Sequence, residues 1–235
     1  MATRSGGATD QRSPLSRPRV LQTALGYIDA HGLEALSMHK LGAELGVKGM
    51  SLYNHVSNKD DLLDGVVEVL WTEVESAVTG AVTTAAGWHD GVRSFARALR
   101  AIVRRHPNAA PLIISHRVMP EPALRIIQAQ IIAAVADSSP EGPAYDLLRT
   151  ITSYALGSAL AEAHWGLGET GCASAVSDLL RPGIPGDLVG VAEIFCGRGD
   201  PDAQFELGLD LMLRGLAAPR DPSARPVRNT VPGPG

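Results

Sequence analysis

The chain has 235 residues, 45% of them hydrophobic but only 4% aromatic, and a formal net charge of −4. That length suits one large domain or a small domain joined to a medium one, with a core of Leu, Ile, Val and Ala rather than rings. No apolar run approaches the roughly 18 residues needed to cross a bilayer, and Met1 to Ser16 hold nothing like a signal peptide, so no membrane association and a cytoplasmic location are expected. A negative net charge speaks against a nucleic-acid binder, yet the charge is unevenly spread. Residues 1–59 hold seven Lys or Arg against four Asp or Glu, whereas residues 60–235 hold fourteen against twenty-one. All three lysines, Lys40, Lys48 and Lys59, lie in the first segment. A cationic front on an acidic body is what a phosphate-facing module requires. Cys172 and Cys196 have no metal-ligand spacing and read as buried or idle thiols rather than a disulfide or redox switch.

Residues 1–16 and 219–235 are rich in Gly, Pro, Ser and Arg and lack periodicity, the composition of disordered tails. Pro18 suits the first turn of a helix that carries Leu21, Ala24, Leu25 and Ile28 on one face and closes at Gly32. Ser37 is an N-cap for the amphipathic stretch from Met38 to Leu45, and Gly46 supplies the positive φ of a sharp turn. A helix of two turns at most follows within Met50 to Val56. Ser57 or Asn58 then caps a long helix whose apolar stripe is Val66, Val67, Leu70, Trp71, Val74 and Val78, ending near Gly80. Beyond Gly87 the spacing predicts helices over 88–105, 107–115, 120–137, 143–167, 187–197 and 201–217, with a Gly- and Pro-rich loop over 168–187. The fold class is therefore all-α: a helix-turn-helix head over 17–63, a helical body over 64–218, and the helix from about 58 joining them.

The head carries the functional signal. Leu41, Leu45, Val47, Leu52 and Val56 face inward, leaving Lys48, Gly49, Met50, Ser51, Tyr53, Asn54 and His55 on the outer side of the second helix of the pair. A recognition helix must be packed on one side while its other face offers donors, acceptors and small groups to base edges and phosphates. Lys48 and Lys59 flank it, placed to bracket phosphates. Asp60, Asp61 and Asp64 fit either a metal cluster or, as preferred, the start of a helix whose dipole favours carboxylates.

The run from Leu36 to Leu63, above all Leu52-Tyr-Asn-His-Val-Ser-Asn-Lys-Asp-Asp-Leu-Leu63, resembles the signature of the tetracycline-repressor family. That resemblance implies a homodimer in which the third helix of each head reads the major groove of a palindromic operator. It places His39 on the backbone or groove wall, Lys48, Gly49, Met50, Ser51 and Asn54 near bases, and Tyr53, His55 and Lys59 on phosphates. Tyr53 and His55 also have a purely structural reading as packing or capping residues. Met50 stands where relatives often carry Pro, Ala or Gly.

The likeness extends less sharply through Trp88–Pro107 and Phe205–Leu216, which look like the C-terminal domain of the tetracycline-repressor subgroup, where two subunits form a four-helix bundle. Phe205, Leu209, Met212 and Leu216 make one stripe and Leu207, Leu211 and Leu213 others, so the last helix must be covered on two sides. Helix 143–167 mixes Leu148, Ile151 and Leu160 with Ala155, Gly157, Ala159 and Ala161, which admit a partner helix closely. The resemblance also implies an inducer, but the positions where tetracycline binders carry polar and His anchors read Phe95, Ile113 and Ser153, and the helix-4 His position reads Glu75. Tetracycline with magnesium is not the expected ligand, and neither a cofactor nor a metal is expected. Phe95, Leu99, Ile113, Gln130, Ser153 and Tyr154 are the candidates for a mostly apolar small-molecule pocket, with His116, Arg117, Arg149, His164 and Trp165 behind them. No phosphate loop, nucleophile elbow or His-Glu-x-x-His motif is present, and Glu162 and His164, two apart on a helix, point different ways, so an enzyme is not expected. A ligand-released repressor is the leading reading; an activator or ligand-independent regulator with the same head is the alternative.

Overall fold

The computed structural model describes residues 14–81, 87–137, 139, 141–165, 180–196 and 200–217. Every regular element among them is helical: α1 (Arg17–His31), a 3₁₀ turn (Leu33–Ala35), α2 (Met38–Leu45), α3 (Gly49–Leu52), α4 (Lys59–Ala81), α5 (Trp88–Arg105), α6 (Leu112–Ser115), α7 (Glu121–Ala136), α8 (Glu141–Trp165), α9 (Gly186–Cys196) and α10 (Pro201–Ala217). The expected tails fall outside the described residues apart from 14–16, where Ser16 caps α1, and most of the expected loop over 168–187 falls outside them too.

Local chemistry sets the head. Ser37 Oγ accepts from the Lys40 amide at 3.2 Å and starts α2. Gly46, at φ 69° and ψ 27°, ends it, the left-handed conformation glycine adopts without steric cost. Tight packing of α2 on α3 rests on Gly42, where a Cβ would stand 2.8 Å from the Gly49 amide nitrogen and 2.9 Å from the Val47 carbonyl. Any larger residue would pry the two helices apart. Leu41 and Leu52 are fully buried between them, and burying each such side chain is worth about 1.5–3 kcal/mol.

Helix α4 is the spine. Its cap is Asn58, whose Oδ1 accepts from the Asp61 amide at 2.8 Å. All six residues of its expected stripe are buried, packing first against α1 and then against α5 and α7. In the body α5 lies along α8, and α7 and α10 also pack on α8. The expected helix over 107–115 breaks: residues 107–111 form turns and only Leu112–Ser115 is helical. Pro107 disfavours helical geometry in the residue before it, and His106 accordingly leaves the helix at φ −122° and ψ 56°.

An ion network centred on the buried Arg100 ties α5 to α8 and α10. Arg100 forks onto Glu162 at 3.0 and 3.1 Å, reaches Asp202 at 2.7 Å and lies 4.6 Å over the Phe205 ring. Tyr154 stacks on Phe205 and donates its hydroxyl to the Phe205 carbonyl at 3.1 Å. Among the described residues no helix is long and apolar enough to cross a membrane.

Candidate nucleic-acid interface and ligand cavity

Helix α3 is four residues long, and its back is closed by Leu52 and, just beyond, Val56, 0% and 2% exposed. Its front is open. Met50 is 76% exposed and Tyr53 45%, and His39, Lys48, Asn54 and Lys59 are exposed as well. Gly49, Ser51 and His55 are half-buried. Exposure of Tyr53 favours the surface reading over the packing one, and no ion pair is formed by Lys48 or Lys59 among the described residues. Ammonium groups at either end of the segment, Lys48 before α3 and Lys59 at the start of α4, with a hydroxyl, an amide and an imidazole between them, can hold phosphates and reach base edges.

The start of α1 is pinned to this surface. Arg17 donates to the His55 carbonyl at 2.9 Å and pairs with Asp61 at 2.8 Å. Asp61 also accepts from the Ser57 amide at 2.7 Å. Hydrogen bonding from Arg17, and then from that amide, lowers the Asp61 carboxyl to about 2. Asp64 turns instead to His116, 2.7 Å away. Asp61 and Asp64 thus serve separate partners while Asp60 is exposed, and no group able to hold a metal ion occurs among the described residues.

A second seam joins head to body. His106, 8% exposed, places Nδ1 2.6 Å from Asp29 of α1 and Nε2 3.2 Å from Glu73 of α4. Arg105 adds a 2.8 Å bond to Glu73, and Asn108 donates to the Asp29 carbonyl at 3.0 Å. Sequence reasoning missed this bridge, because its partners lie 33 and 77 residues away and no local spacing announces them.

In the body, a cavity of about 790 Å³ opens between α4, the start of α5, and α7. Val78, Trp88, Ile126, Ala129 and Ala133 give apolar wall, with Glu75, Arg125, Gln130 and Asp137 as the polar groups. Of the six pocket candidates only Gln130 lines it. Phe95 and Leu99 are buried in the core, Ile113 is half-buried on α6, and Ser153 is exposed with its hydroxyl on the Arg149 carbonyl at 3.0 Å. Tyr154 is committed to Phe205. The secondary candidates stand apart from the cavity as well: His116 holds Asp64, Arg117 and Arg149 are exposed, and His164 sits on the Leu160 carbonyl. The Trp165 side chain lies outside the described residues. Glu75 was visible in the sequence as a departure from a family His; Trp88 and Arg125 were not singled out, since an apolar stripe reads alike whether it lines a void or fills a core. A second cleft of about 780 Å³ runs between α1 and α4, and none of its lining residues has an unpartnered buried polar atom.

Comparison with known proteins agrees with this geometry. Residues 20–66 match the family described as bacterial regulatory proteins, tetR family, and residues 83–220 match the tetracyclin repressor-like C-terminal domain. An HTH-type transcriptional regulator of Saccharopolyspora erythraea is 31% identical over 209 residues, 87% of this chain and 85% of its own. The class A tetracycline repressor from transposon 1721 of Escherichia coli is 30% identical over 210 residues, 86% of this chain and 90% of its own. The structure of the TetR family protein ActR of Streptomyces coelicolor in complex with actinorhodin superposes with a TM-score of 0.69 at 28% identity, covering 87% of this chain and 98% of that one. With both family models matched in order along it, the chain belongs to the TetR family of DNA-binding transcriptional regulators.

Proposed function

We propose that this protein is a cytoplasmic, homodimeric repressor that leaves a palindromic operator when a small, lipophilic molecule enters the body. The observation that carries the reading is the run of α4. Lys59 begins it at the exposed rim of the head, and Glu75, Val78 and Thr79 of the same 23-residue helix line the cavity. At about 1.5 Å per residue, roughly 24 Å of rigid helix separate the two ends, so a tilt at the cavity is delivered to the head. The His106 and His116 bridges lock head and body onto that spine.

His39, Lys48, Gly49, Met50, Ser51, Tyr53, Asn54, His55 and Lys59 form the proposed DNA surface, with Lys48 and Lys59 on phosphates. Support for the dimer comes from apolar side chains a lone chain leaves in water: Ile194 and Phe195 of α9 are 86% and 78% exposed, and Leu207 and Leu211 of α10 are 59% and 64%. Pairing through α10 would cover its second face and set two heads about one or a few helical turns apart. Support for the small molecule comes from the cavity's size and mixed lining, and from ActR, a relative solved with actinorhodin bound.

A ligand acts by preferring the conformation that binds DNA poorly, and a coupling of about 1–3 kcal/mol is the ordinary range. Protein bound to fluorescent DNA from the gene's own upstream region, titrated with a panel of lipophilic compounds, is expected to release that DNA for at least one of them. Operator affinity unmoved by every compound seen to bind the protein would overturn ligand release.

A further inference from the structure

The cavity between α4, α5 and α7 carries a charge bias that goes beyond its being apolar. Glu75 is a quarter exposed and stands 3.8 Å from Arg125. Arg125 is 60% exposed, and its short bond, 2.5 Å, goes to Glu121 outside the cavity wall. Asp137 adds a second carboxylate at the other end, accepting the Trp88 amide at 2.5 Å. Arg125 is thus drawn outward by Glu121, and the charged groups of the wall itself, Glu75, Asp137 and Arg125, retain one negative charge in excess. The wall also holds unspent hydrogen-bonding capacity. Trp88 and Gln130 are each 4% exposed, and Trp88 Nε1 and Gln130 Oε1 have no partner among the described residues. A buried polar group left unpaired is destabilising, a deficit a ligand can relieve.

We infer that this cavity takes a bulky apolar molecule bearing a positive charge, an organic cation or a protonated amine, with Glu75 as its charge partner. Between low-dielectric walls the excess of carboxylate is felt more strongly than in water, so an anion of the same shape is repelled. Trp88 offers the aromatic surface on which a cation is attracted, and Gln130 can meet a polar substituent after turning its amide. The inference rests on the small-molecule reading of this cavity and names the ligand's charge.

Tetraphenylphosphonium and tetraphenylborate share size and shape and differ in sign, which isolates that charge. Calorimetric titration of the full chain is expected to show tetraphenylphosphonium binding at least 10-fold more tightly than tetraphenylborate. Glu75→Gln should weaken the cation about 5-fold or more and leave the anion as it was or tighter, while Arg125→Gln should tighten the cation. Equal or reversed preference, binding of neither ion, or a cation affinity indifferent to Glu75→Gln would overturn the inference. DNA release is read separately by anisotropy. Cation binding that depends on Glu75 but leaves DNA affinity unchanged would sustain the charge assignment and count against ligand release at this site.

Discussion

The head and the body meet water in opposite ways. Around α2 and α3 the apolar side chains are closed in, Leu41 and Leu52 completely, and what remains outside is mainly polar, with Met50 and Tyr53 as the large exceptions. The body closes its core on Ile151, Phe205 and Leu209 and yet leaves Ile194, Phe195, Leu207 and Leu211 exposed on its outer helices. A small unit with a sealed back and an open polar front is complete by itself and waits for a polar partner. A larger unit with apolar side chains left exposed among its described residues offers the faces on which the proposed dimer would form.

The largest expected effect tests those faces. Leu207→Asp combined with Leu211→Asp is expected to turn a dimer into a monomer in sedimentation velocity, weakening association more than a thousandfold; a double variant that stays dimeric would move the interface off this face of α10. Next comes the head's sealed back. Leu52→Ala should cost about 2–5 kcal/mol in denaturant unfolding, through lost burial and the cavity left behind. The bridge between the two regions ranks third. His106→Ala strips Asp29 and Glu73 of a shared partner, and a loss of about 1–3 kcal/mol is expected, with a weaker effect of ligand on DNA affinity. Unchanged stability together with unchanged coupling would remove that bridge from the account.

Smaller effects sharpen the contrast from the head's open side. Lys48→Ala and Tyr53→Ala should each lower operator affinity about 10-fold while shifting stability by no more than about 0.5 kcal/mol, since both side chains are exposed. The smallest is electrostatic. Asp61 is held at about 2 in the folded chain, below its unfolded value, so its pairing with Arg17 adds stability above that unfolded value and loses it as pH falls toward 2. Because Arg17 and Asp61 are 39% and 29% exposed, the gain is about 1 kcal/mol or less. The melting-temperature gap between the protein and Asp61→Asn should therefore be small at pH 6, shrink as pH falls toward 2 and vanish only below it.

The same two regions differ in how far the sequence discloses them. The head was legible down to its caps: Ser37 and Gly46 sit where their chemistry requires, and the Leu52–Leu63 run carries its family's spacing undisturbed. Local rules sufficed because capping and glycine turns act within four residues. In the body, helix spans were legible and their partners were not. Tyr154, read as a pocket residue, lies so close over Gly208 that a Cβ there would meet its hydroxyl, a fit across 54 residues that no periodicity encodes. Gln130 lies on the cavity wall, whereas Phe95 and Leu99 lie in the buried core, because an apolar helical stripe does not say whether it faces a neighbour or a void. Pro107 was the one local signal underweighted, and the helix expected across it broke there.

On the proposed function, the head reads DNA through the open face of α3. That reading is tested most directly by anisotropy titration of the protein against its own upstream DNA and a scrambled duplex, at two salt concentrations, beside Lys59→Ala. Preference for the upstream DNA, affinity that falls steeply as salt rises, and a shallower salt slope in the variant are expected. Equal binding to both duplexes, with genome-wide selection yielding no preferred sequence, would contradict it.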